Sequence, residues 1–145
     1  MKLGFYLVAD MPLESAIAQI AVKVLEGGSR MLLVTQDADL RARLDKGLWT
    51  EQPQEFLAHG EAGGPHDARQ PILISEECDA ANGATFVGLA DGRWRDAAQD
   101  FERAFLFFDE DGRDAARKTW KALEDRDGLE REFFAREDGR WVKKG

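Results

Sequence analysis

The chain has 145 residues, 43% apolar and 33% charged, with a formal net charge of −8. That size and mixture describe one soluble domain spanning residues 1–145 and exclude a disordered chain; no apolar run is long enough to span a membrane and no signal-peptide pattern opens the chain. The acidic body argues against a bulk surface that grips a phosphate backbone, and the single cysteine, Cys78, leaves no internal disulfide and fits a reducing, cytoplasmic setting.

In chain order, residues 3–8 (LGFYLV) are apolar without alternation and predict a buried strand. Pro12 suits a helix start, and Leu13, Ile17, Ile20 and Val24 form an amphipathic stripe ending at Gly27-Gly28. Residues 31–34 predict a second strand. Asp37 is placed to cap a helix whose stripe is Leu40, Leu44 and Leu48, with Trp49 at its end. Phe56-Leu57 suggests a short strand, residues 58–71 a glycine- and proline-marked loop, and residues 72–75 and 84–89 further strands. Trp94, Ala98, Phe101 and Phe105 have helical spacing, running into an apolar strand at 105–108. Near the end, 131–135 and 140–144 predict a hairpin about Asp138-Gly139. Strands alternating with helices imply right-handed crossovers and a single α/β domain, its sheet mostly parallel with helices on both faces.

The chain is organised around residues 111–125 (DGRDAARKTWKALED), which predict a helix after the 105–108 strand. Asp111 is placed to cap it, and Ala116, Trp120 and Leu123 make its buried stripe. Arg113, Arg117 and Lys121 recur every four residues, where like charges repel, and Arg113 is misplaced near the positive helix end. In so acidic a chain, a row of cations beside an indole suggests a dock for something acidic with an aromatic or apolar end. The competing reading is a solvated face, with Lys118 paired to Asp114 and Lys121 to Asp125.

Catalytic signals are poor. His59 and His66 share a loop without the spacing of a zinc site, Cys78 has no nearby base, and residues 60–64 lack the ending of a nucleotide-cradling loop. Asp10, Asp37 and Asp109 each follow a predicted strand, and in a parallel sheet such ends share one edge. The alternative to a binding protein is therefore a magnesium-dependent phosphoryl-transfer enzyme using those carboxylates.

Several segments, in order, resemble one family: FYL at 5–7, LW at 48–49, EFLAHG at 55–60, PILIS at 71–75, FLFFD at 105–109, ARKTWK at 116–121 and the terminal GRWVKKG. Together they resemble the chi subunit of bacterial DNA polymerase III. The resemblance implies a Rossmann-like sheet without a catalytic site or cofactor, in an accessory subunit of the clamp-loader assembly. It implies binding to the acidic C-terminal tail of single-stranded DNA-binding protein, with DNA met mainly indirectly, and to the psi subunit or another clamp-loader component on a separate face. By the resemblance, Arg117, Trp120 and Lys121 stand on the tail-binding helix and Phe56 and Phe107 beside it. The tail's aspartates would meet Arg113, Arg117 and Lys121, its terminal phenylalanine would enter a pocket bounded by Phe56, Phe107 and Trp120, and Lys143 or Lys144 would add to the field. Trp49 and Pro53 match the psi-side region. The chain departs from the expected pattern at Glu124 and Asp125, where another cation is expected.

Overall fold

The computed structural model describes residues 1–50 and 57–145. Phe56 and Pro53 lie outside the described residues. Eleven regular elements follow one another along the described chain: β1 (Lys2–Leu7), α1 (Leu13–Glu26), β2 (Met31–Val34), α2 (Ala38–Thr50), β3 (His59–Glu61), β4 (Ile72–Ser75), β5 (Phe86–Leu89), β6 (Arg103–Phe108), α3 (Arg113–Ala122), β7 (Glu130–Glu137) and β8 (Arg140–Lys143). The strands form one sheet in the order β3-β4-β2-β5-β6-β1-β7-β8. All neighbours are parallel except β7 and β8. This is a Rossmann-like α/β sheet, and its hairpin turns through Asp138 and Gly139, both at positive φ (51° and 77°), as a two-residue turn matched to strand twist requires.

The central strands are continuous apolar runs because helices cover both faces. On one face α1 and α2 bury Ile17, Leu40 and Leu44 against Met31, Leu33 and Phe107. On the other, Ala116 and Leu123 of the α3 region pack with Leu3, Phe5, Leu106 and Phe108. Side chains alternate along a strand, so successive phenylalanines of β6 serve different cores.

Three local expectations are corrected. Trp94, Ala98 and Phe105 do not share a helix: residues Asp96–Asp100 make a short 3-10 turn and Phe105 lies inside β6. A strand residue fell in helical register because its apolar neighbours run without alternation. The cap before α3 is Asp109, not Asp111: its carboxylate accepts from the Gly112 amide at 3.0 Å and holds a 3-10 turn, Glu110–Gly112, that leads into the helix. The stretch read as an open loop at 58–71 contains β3, paired with β4 through His59 and Ile72.

Candidate functional site: a cation-rimmed apolar hollow

At the carboxyl end of β6 the chain turns into α3, which lies over β1 and β7. A hollow of about 290 Å³ opens between them. Phe5, Phe108, Phe133 and Trp120 give it aromatic walls, Ala116 its floor, and Arg113 and Arg117 its rim. Phe5 of β1 and Phe133 of β7 are register partners, so they enter side by side from opposite ends of the sequence. Phe5 meets Trp120 edge-on with centroids 5.1 Å apart, and Phe108 lies 6.2 Å from Phe133. Trp120 is half-buried, held from behind by Arg131, whose guanidinium carbon sits 4.3 Å from the ring centroid and which donates to the Trp120 carbonyl.

The cations have unequal freedom. Arg113 lies 3.6 Å from Glu110 on the exposed surface, a weak pair. Among the described residues neither Arg117 nor Lys121 enters an ion pair, and Lys118 does not pair with Asp114. Lys121 continues the row one turn beyond Arg117 and stands outside the lining of the hollow. The arrangement takes one flat apolar group inside and negative charge on the rim.

Two sequence-predicted members are placed elsewhere. Phe107 is fully buried in the core beneath α1 and α2, across the sheet from the hollow; Phe108 takes the wall position because the pleat sends it to the α3 face. Lys143 is the cross-strand partner of Phe134, also on the far face, and its ammonium lies 3.0 Å from Glu132. That contact, against a smaller cost of burial, holds the Glu132 carboxyl below its ordinary value. Trp49 is 50% exposed near the end of α2, its ring 4.6 Å from that of His59. His59 is buried, bonded to the Leu57 carbonyl at 2.8 Å and to Asp45 at 2.9 Å.

The residues missed by sequence reading are Phe5, Phe108, Phe133 and Arg131. Only the β1–β7 pairing brings three of them to α3, and nothing local announces it. The three strand-end carboxylates have structural partners. Asp10 accepts two bonds from Arg136 (3.0 and 3.2 Å), Asp37 accepts from the Asp39 and Leu40 amides, and Asp109 caps the turn. No group of metal-ligating side chains occurs among the described residues, and no described helix is long and apolar enough to cross a membrane.

Fold and hollow together define a Rossmann-like α/β domain that presents a basic-rimmed aromatic pocket beside one helix. The family model described as "DNA polymerase III chi subunit, HolC" matches residues 1–130. The chain belongs to the DNA polymerase III chi subunit family. It is 31% identical over 72 residues to the "Probable DNA polymerase III subunit chi" of Rickettsia prowazekii (strain Madrid E), an alignment covering 50% of this chain and 44% of that protein.

Proposed function

We propose that this chain is a non-catalytic accessory subunit of the DNA polymerase III holoenzyme, working in the cytoplasm. In this reading it joins the clamp-loader assembly to single-stranded DNA-binding protein by gripping that protein's acidic C-terminal tail. The observation that carries the reading is the aromatic hollow with Arg113 and Arg117 on its rim in a chain of net charge −8. A terminal phenylalanine ring enters among Phe5, Phe108, Phe133 and Trp120. Its carboxylate meets Arg117, and preceding aspartates lie along Arg113 and Lys121. Phe107 and Lys143, on the far face, take no direct part. Trp49 is the anchor proposed for the psi subunit or another clamp-loader component, since an exposed indole loses much water-facing area on contact.

A single apolar anchor with a few screened charges corresponds to micromolar affinity, roughly −8 kcal/mol. The test is fluorescence anisotropy with an acidic peptide ending in phenylalanine, run beside the same peptide lacking that residue. Binding should weaken with added salt, and should be lost on deleting the ring or on Arg117→Glu. Equal binding of the two peptides would overturn the reading.

A further inference from the structure

The opposite face of the sheet carries a second hollow, between α1 and the β7–β8 hairpin, of about 280 Å³. Tyr6, Phe105 and Phe134 form its floor, with Trp141 and Phe86 at its sides. Phe134 stacks on Tyr6 at 4.8 Å with 15° between planes, and Trp141 meets Tyr6 edge-on at 5.1 Å. The rings of Phe86, Phe134 and Trp141 are partly exposed. A more polar hollow of about 330 Å³ continues from the first: the two share Ile20, Lys23 and Trp141, and the second adds Arg136 and Arg140.

The charge of this groove is unlike that of the chain. Among the described residues neither lining contains a carboxylate, although the sequence has 28 acidic residues. Arg136 is committed to Asp10, but among the described residues Lys23, Arg103 and Arg140 enter no ion pair. Arg103 lies over the Phe105 ring at 5.2 Å and donates to the Tyr6 hydroxyl at 3.4 Å, while its buried Nε has no hydrogen-bond partner among the described residues. The acids at its border are already held: Asp10 by Arg136, and Glu132 by Lys143 and within the fields of Lys2 and Arg103.

We propose that this groove is a track for single-stranded DNA. Unpaired bases lie against Trp141, Phe134 and Phe86, and the linking phosphates meet Lys23, Arg103 and Arg140. Every base offers a flat π-face and every linkage a negative charge, and the groove offers ring and cation side by side in two consecutive hollows. An acidic peptide satisfies the charge but leaves most ring faces uncovered. DNA is chosen over RNA because the family is that of a DNA polymerase subunit. The groove and the α3 hollow lie on opposite faces, so both can be filled together, and the track does not depend on the tail reading.

The test is anisotropy of a labelled 15-nucleotide deoxythymidine strand at low salt. Binding is weak, and with about three phosphates neutralised the log–log salt slope is about −2. Lys23→Glu/Arg140→Glu, at two exposed positions, weakens it about tenfold or more, whereas the charge-matched Lys46→Glu/Lys118→Glu changes it little. Thermal melts verify that both variants fold. The proposal fails if no binding appears at low salt, or if both double variants lose equally. It fails too if an acidic peptide of equal charge competes as well as the unlabelled strand, or if an oligouridine strand binds more tightly.

Discussion

Arg131 lies flat across Trp120 while donating to the same residue's backbone carbonyl, so one guanidinium fixes both the indole plane and the last turn of α3. The wall of the hollow is thus set from behind by β7. A partly desolvated cation–π contact contributes about 1–2 kcal/mol. Arg131→Ala should lower stability by about that much and weaken the acidic peptide several-fold, although Arg131 does not line the hollow. Arg131→Lys keeps the charge but not the planar stack, and should recover less than half of the loss. Urea unfolding and peptide titration on the same samples separate the two effects; a variant that binds normally would remove Arg131 from the proposed mechanism.

The neighbours Phe107 and Phe108 should fail in different ways. Phe107 has no exposed surface and sits in the α1–α2 core, so Phe107→Ala should cost about 3–5 kcal/mol with peptide affinity intact in whatever remains folded. Phe108 is buried at 6% exposure but forms a wall of the hollow. Phe108→Leu retains apolar bulk for the core and loses the ring edge, so its larger effect should be on binding. Affinity equal for Phe107→Leu and Phe108→Leu would contradict the division between faces.

This pair also shows how far the sequence could be read. The strands at 31–34, 72–75 and 105–108 were legible because strands buried on both faces become unbroken apolar runs. The same lack of alternation hides which residue faces which side. The cation row of α3 was legible because like charges at helical spacing conflict with local stability. Its aromatic partners were not, since Phe5 and Phe133 come side by side at the α3 hollow through a parallel pairing of residues 128 apart in the chain. In the sequence Arg131 is legible only as the first residue of a predicted hairpin strand.

Asp91 gives a pH prediction with a definite sign. Burial pushes its carboxyl up, but the paired bonds from Arg95 (both 2.8 Å) and the amides of Arg93 and Gln36 bring it below its ordinary 3.8. A carboxyl lowered in the folded state stabilises fully above the unfolded value; that contribution is lost as pH falls through the folded value. Asp91→Asn should therefore cost about 1–3 kcal/mol at pH 7, and the gap from the parent should close as pH falls below about 4. Urea midpoints measured from neutral pH into the acid range check this, and a gap that widens on acidification would show that the pair does not hold the carboxylate ionised.

Gly4 tests the floor of the far groove without touching a charge. A Cβ there would come within 2.4 Å of Tyr6 Cε1, so the Tyr6 ring lies against the space that glycine leaves on β1. The ring has little room to retreat, with Phe134 stacked at 4.8 Å and Trp141 edge-on at 5.1 Å. In a strand, alanine would ordinarily cost less backbone entropy than glycine, so any loss on Gly4→Ala comes from displacing that ring. Overpacking of this kind costs about 1–3 kcal/mol. Tyr6→Leu should be destabilising alone, yet adding Gly4→Ala to it should cost little, giving a favourable coupling in a double-mutant cycle. Additive losses would mean that the ring moves aside freely, and the aromatic floor would not be the fixed surface the groove requires.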